Sequence, residues 1–276
     1  MMTTMTNQYE FYKQPRLHNP LLVISWLTYD VASAGNKTAQ FLINALKMEE
    51  IGEINPLTYS TFEGAVFRDN LIQVPKCKFW ASEEKNLVLL ESDEPFYERF
   101  NFLNLLLDIS VEKLQTQQIF TISAYPTLMA HTHPRRIQAV FSREELKEEY
   151  SSYEKLVNMT WKGQPAISTY LLWAAVQREL SCISLWPEVP FYLGATEDQS
   201  AVKTTLSFLS QCFHLNLDLS ELDNKIQKKN EALAQLREED PQVEEYITQL
   251  EGGYTLNENE QMELTKKVYD YMINKD

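Results

Sequence analysis

Apolar and polar positions switch between two periods along this chain, and the switching outlines alternating strands and helices. Leu21 to Trp26 (LLVISW) is an unbroken apolar run with β-branched members, the pattern of a strand buried on both faces. Asp30 then stands where a helix cap belongs. Val31, Ala34, Thr38, Phe41, Leu42, Ala45 and Leu46 follow at spacings of three and four, which predicts a helix with one apolar face to about Met48. From Ile51 to Trp80 short extended pieces are expected, broken at Pro56, Gly64 and Pro75. Asn86 to Leu90 (NLVLL) reads as a second buried strand, ending in Glu91-Ser92-Asp93-Glu94-Pro95. Acids followed by a proline suit a helix start. A helix is therefore expected from Phe96 to about Leu114, with Phe96, Phe100, Leu103, Leu107 and Val111 as its apolar stripe.

Ile119 to Ala124 is a further strand, bounded by Gln118 and Pro126, and it leads into the polar run His131-Thr132-His133-Pro134-Arg135-Arg136. A proline disfavours helical geometry in the residue before it. If extended geometry covers the triplet, His131 and His133 point to the same side. Ile137 to Phe141 is a strand, and Ser142 with Glu145 forms a capping box for a short helix to Tyr153. Gly163-Gln164-Pro165 turns the chain into an apolar helix, Ile167 to Leu180. Cys182 to Trp186 is the last core strand, closed by Pro187 and Pro190, and Glu197 or Asp198 starts a helix to about Phe213. Regular alternation of this kind predicts an α/β fold, a largely parallel sheet with helices on both faces.

Beyond Leu219 the pattern changes. Three helical segments are expected, Leu219 to about Glu239, Val243 to Glu251 and Glu258 to about Asn274, separated by Pro241 and Gly252-Gly253. Leu219, Leu222, Ile226, Leu233 and Leu236 keep a narrow apolar seam among many charges, so this segment packs on one face only. Residues 1–218 are thus read as an α/β core domain and 219–276 as a small helical C-terminal appendage.

Composition narrows the function classes. With 39 acidic against 25 basic residues the formal charge is −14, which disfavours nucleic acid and anionic membranes as partners. No apolar run reaches the ~18 residues of a membrane span. The opening MMTTMTNQYEFYKQ shows no signal-peptide pattern. Cys77, Cys182 and Cys212 are odd in number and form no CxxC pair, as expected in a reducing compartment. A cytoplasmic protein is expected. There are only 7 glycines, far below the usual ~7% of residues, and neither GxGxxG nor GxxxxGK[ST] occurs, so nucleotide sites of those two kinds are excluded.

Two clusters are candidates for chemistry. His131 and His133 have the spacing of two metal ligands, but a catalytic zinc needs a third. Only His18 and His214 remain, in unrelated segments, with Asp93 or Glu94 as possible oxygen donors. The other reading of the triplet is a hydrogen-bonded loop after a core strand. Glu91, Asp93 and Glu94 follow a strand, and in open α/β sheets ligands bind beyond the carboxyl ends of strands. Helix capping accounts for the same acids. Asp93, Glu94, His131, Thr132 and His133 form the candidate ligand pocket. No catalytic residue, cofactor or metal is assigned.

Taken together, the stretches LLVISWLTYDVASAGNKTAQFL (Leu21 to Leu42), Asp93-Glu94-Pro95 with its aromatic helix, His131-Thr132-His133-Pro134, Gly163-Gln164-Pro165-Ala166-Ile167, Trp186 to Tyr192 and Glu245-Tyr246-Ile247 with Leu250-Glu251 resemble the proteasome assembly chaperone family of the PAC2-like type. Prokaryotic members of that family are also labelled ATP-grasp-like. The resemblance covers about residues 15 to 255. It departs from the family pattern at Asp93 and His133, where the family has glycine and arginine. It implies a phosphorylase- or hydrolase-like α/β core, homo-oligomeric assembly, and a non-catalytic scaffold that acts on protein partners. The alternative is a nucleoside phosphorylase- or hydrolase-like enzyme, or a small-ligand binder, using the crevice at the strand ends.

Overall fold

The apolar run Leu21–Trp26 is the centre of the sheet, although one short strand precedes it. The computed structural model describes residues 8–60, 66–68, 70–163 and 166–274; Gly64 and the turn at Gln164-Pro165 lie outside the described residues. In chain order the elements are β1 (Tyr9–Phe11), β2 (Leu21–Trp26), α1 (Ala34–Ala45), β3 (Glu49–Ile54), β4 (Val66–Arg68), β5 (Leu71–Gln73), β6 (Cys77–Ser82) and β7 (Leu87–Ser92). They continue with α2 (Arg99–Asp108), β8 (Gln118–Ile122), β9 (Tyr125–Thr127), β10 (Ile137–Phe141), α3 (Glu144–Glu149), β11 (Leu156–Asn158), α4 (Ile167–Val176) and β12 (Ser181–Pro190). Four more helices close the chain: α5 (Gln199–Phe213), α6 (Ser220–Glu239), α7 (Pro241–Glu251) and α8 (Glu258–Ile273).

Among the described residues, ten strands make one sheet in the order β1-β3-β6-β7-β2-β8-β12-β10-β11, with β9 pairing β12 beyond the end of β8. The centre, β7-β2-β8-β12, is parallel, and the antiparallel pairings lie to either side. Period-two alternation sorts the core residues. Leu22, Ile24, Trp26, Val88 and Leu90 pack under α2 and α4 on one face. Val23, Leu87, Leu89, Phe120 and Ile122 pack under α1 and α5 on the other. Each such fully buried side chain contributes about 2 kcal/mol. A third cluster lies at one end of the sheet, where Ala32, Ala124, Val189 and Tyr192 meet Leu233 and Leu236 of α6, Ile247 and Leu250 of α7, and Leu264 and Val268 of α8. No described helix is long and apolar enough to cross a membrane.

Several element boundaries differ from the sequence expectation, each for a local reason. The helix after β7 starts at Arg99, because Glu98 before it is left-handed (φ 48°). Its buried face is Phe102, Leu103, Leu106 and Leu107, while Phe96, Phe100 and Val111 of the expected stripe are exposed. The last turn, Ile109–Lys113, is a π turn, which takes in an extra residue and rotates Val111 outward. Ser142 does not cap α3: its Oγ accepts the Cys182 N–H at 2.9 Å, and Arg143 precedes the helix without a side-chain cap. The apolar helix α4 stops at Val176, short of Leu180, with Glu179 left-handed (φ 60°). Strand β12 runs through Pro187. The Glu188 N–H points to Arg136 O on the β10 side, so the N–H that Pro187 lacks faces the other side, where β8 has already ended at Ile122.

Asp30 does cap α1, but from a distance. Val31–Ser33 form a 3-10 turn, and the Asp30 carboxylate accepts Gly35 N at 2.8 Å and Asn36 N at 2.7 Å. Space is tight at Gly35, where a Cβ would lie 3.0 Å from Ser25 Oγ and 3.3 Å from Asp30 Oδ1.

Candidate functional site

The stretch after β8 does not extend through its histidines. His133 N bonds Ala130 O at 3.1 Å and closes a turn over His131 to His133, so the two imidazoles do not form a strand-like pair. The turn is organised from inside by Arg135. Its Nη1 donates to the carbonyls of His131 (3.2 Å) and His133 (2.7 Å), and its Nε donates to Asp198 Oδ2 (2.9 Å). Both members of this ion pair are 2% exposed. Asp198 Oδ1 meanwhile accepts from Ser200 N and Ala201 N, capping α5. A charge buried this deeply is tolerated only when paired and hydrogen-bonded, and the chain curls to supply the carbonyls.

His131 is buried against Tyr192. The phenol oxygen accepts the His131 backbone N–H at 2.6 Å and lies 2.9 Å from the ring Nδ1. With the phenol donating to Nδ1, the ring proton sits on Nε2. Burial drives the His131 pKa down to about 4, helped by repulsion from Arg237 and Arg135, so the ring is neutral near pH 7 and a poor general acid or base there. Thr132 Oγ1 donates to Glu251 Oε1 at 2.9 Å. Arg237 on α6 forks onto Glu251 (2.8 and 3.0 Å) and Glu244 (2.5 and 3.2 Å) of α7, and this guanidinium holds both carboxyls below their usual range. The turn is thereby tied to the C-terminal helices.

Asp93 and Glu94 occupy the adjoining strand end. Asp93 accepts Lys76 N (2.7 Å) and the Thr28 hydroxyl (3.2 Å), and Glu94 N donates to Thr28 Oγ1 (3.0 Å). Burial raises the Glu94 carboxyl, against the pull of Arg99. Strand order β7-β2-β8 places the Leu27 to Ser33 loop between the two candidate groups. Thr28 holds the acids on one side. On the other, Ala32 N bonds Gly194 O (2.8 Å) and Ala32 O accepts Asp198 N (3.2 Å). His131, Thr132 and His133 line a cavity of about 320 Å³ together with Lys155, Lys203 and Asp223; Asp93 and Glu94 are not part of it. Among the described residues no group of three or more His, Cys, Asp or Glu is placed to hold a metal. The Cys77 thiol is pushed up to about 12 and that of Cys212 to about 11, both chiefly by burial, and burial also raises Cys182. None is a nucleophile in waiting.

The residues whose organising role sequence reasoning missed are Arg135 and Arg237; Tyr192 belongs to the aromatic segment Trp186 to Tyr192, although nothing there announces its bond to His131. Arg135 adjoins the histidine motif and Asp198 is recognisable as a cap, but nothing in either segment announces their pairing. Also missed was the strained loop after β2, where Tyr29, Ala32 and Ser33 are left-handed (φ 57°, 55° and 53°) with no glycine among them. Each such residue costs about 1–2 kcal/mol, here held by the Gly194 and Asp198 backbone bonds.

A model of the PAC2 family matches residues 28–237. No curated protein matches the chain. Among solved structures, a protein of unknown function from Corynebacterium glutamicum aligns over 89% of this chain and 96% of its own, with a TM-score of 0.76 and 20% identity. PbaB of Pyrococcus furiosus, an archaeal proteasome activator, aligns over 83% and 98% (TM-score 0.68, 23% identity). A proteasome-assembly chaperone homologue of Mycobacterium tuberculosis aligns over 82% and 99% (TM-score 0.71, 18% identity). At these identities the likeness is one of fold, and it extends over most of the sheet and its helices.

Proposed function

We propose, from the premise that this chain belongs to the PAC2 family, that it is a non-catalytic, homo-oligomeric scaffold that assists the assembly of a protein complex of proteasome type. Its fold relatives include a proteasome activator and a proteasome-assembly chaperone homologue. The observation that carries the reading is the state of the polar cluster at the strand ends. His131 is bonded to Tyr192, Arg135 to Asp198 and Thr132 to Glu251, so the groups best suited to chemistry are committed to joining the sheet to α5, α6 and α7. The neutral, enclosed His131 imidazole and the three raised thiols are not poised as acid, base or nucleophile.

Native mass spectrometry of the tagged chain, purified gently from its own cells, tests this. Masses corresponding to the chain bound to proteasome subunits or their partly assembled rings are expected. Recovery of the chain alone, under conditions that retain known weak complexes from the same cells, overturns the reading.

A further inference from the structure

Helices α2 and α4 cover one face of the sheet side by side; α4 is apolar on the outside as well as beneath, while α2 exposes Arg99, Asn101, Asn104 and Asp108 and one aromatic, Phe100. In α4 (ISTYLLWAAV) Ile167, Leu171, Leu172 and Ala175 are buried, yet Tyr170 and Trp173 on the outer side are 42% and 60% exposed. In and just before α2, Phe96 is 42% exposed and Tyr97 and Phe100 are each 58% exposed. Phe100 and Tyr170 meet edge to face with ring centroids 5.5 Å apart, which joins the two helices' outer surfaces into one patch. A helix apolar all round, as α4 is, belongs in an interior. On the opposite face of the sheet, by contrast, α1 and α5 pack together and α6 lies against α5.

Size and charge indicate what covers the patch. At ~200 Å² per aromatic side chain these exposures sum to on the order of 500 Å², the size of a monomer's largest apolar patch, which is often functional, and over half of the ~800 Å² that each partner contributes to a standard interface. The chain carries −14 overall, but residues 98–113 and 167–178 contain three acids (Glu98, Asp108, Glu112) and three bases (Arg99, Lys113, Arg178). At the rim Arg178 donates to Asp108 Oδ1 at 2.9 and 3.1 Å and to Asn104 at 3.1 Å, so covering this pair strands neither of its charges. A neutral aromatic face offers nothing to a strongly basic partner. It suits a surface like itself, and two copies of one patch related by a two-fold axis are self-complementary.

We infer that the outer face of α2 and α4 is where a second copy of this chain docks, Phe100, Tyr170 and Trp173 forming the centre of the contact. The inference rests on the oligomeric part of the proposed function and assigns it a surface. Sedimentation velocity or light scattering of the full chain, with Phe100→Glu plus Trp173→Glu as the test variant and Met262→Glu on α8 as the control, decides it. The wild type and control are expected to have at least twice the monomer mass, and the double variant half of the wild-type mass or less with its far-ultraviolet circular dichroism retained. A monomeric wild type overturns the inference along with the oligomeric reading. An oligomeric wild type whose double variant keeps its mass overturns the inference alone. Should the double variant misfold, amide hydrogen exchange of the wild type serves instead: protection in residues 96–104 and 167–178 falls on dilution to the monomer, and unchanged protection there refutes the contact.

Discussion

Acidification should destabilise this fold through His131, by an amount set by its surroundings. The ring is 7% exposed, bonded through Nδ1 to Tyr192, and faces Arg237 and Arg135 on one side and Glu251 and Asp198 on the other. Burial and the two guanidinium groups outweigh the two carboxylates and bring its pKa from 6.5 down to about 4. The unfolded chain therefore binds a proton that the folded chain refuses. Stability from this group is fully present above about pH 6.5 and is lost as the pH falls towards 4, because the unfolded state binds more protons in that window. Two and a half pKa units correspond to roughly 3 kcal/mol in total, of which about 2 kcal/mol is lost between about pH 7 and pH 5. Urea unfolding at those two pH values, for wild type and His131→Gln, isolates the effect. The wild type should lose about 2 kcal/mol more than the variant over that interval. Equal losses, or an imidazole resonance titrating near its ordinary value in the folded protein, would refute the account of a buried neutral ring.

Other perturbations probe the same architecture. Arg135→Met leaves Asp198 charged and buried without its partner, and should cost about 3–5 kcal/mol in urea unfolding; a loss below about 1 kcal/mol contradicts the pairing. Arg237→Ala removes the fork onto Glu244 and Glu251, part-exposed bonds worth about 1–2 kcal/mol together after screening. It should quicken amide exchange in α7 before the rest of the chain, and should raise the Glu251 titration, which the guanidinium now depresses. Lys47 is exposed and left-handed (φ 47°) just past α1, so Lys47→Gly should stabilise by about 0.5–1 kcal/mol, visible as a higher urea midpoint.

Much of the fold was legible because it follows from local periodicity. The run Leu21–Trp26 marks the central strand, Asp198 marks the start of α5, and Pro241 sits in the first turn of α7 where its missing N–H costs nothing. Periodicity failed where a neighbour in space decided the outcome. The expected stripe of α2 was displaced by a left-handed Glu98 and a π turn, and Ser142 gave its hydroxyl to Cys182, 40 residues away. The expected end of β12 at Pro187 depended on knowing which side of the strand still had a partner.

The candidate site shows the same division. From the sequence alone came an α/β chain too poor in glycine for the common phosphate loops, with a net charge of −14 that disfavours nucleic acid as a partner, with His131 to His133 and Asp93-Glu94 at strand ends and a family pattern linking them. Only the tertiary structure decided that the β2 loop stands between those two groups, that His131 is a neutral core residue, and that Arg135 reaches Asp198, 63 residues on. Periodicity records which side of its own element a residue faces. The state of a buried charge depends on which loops the strand order brings beside it, and that order is written in no single segment.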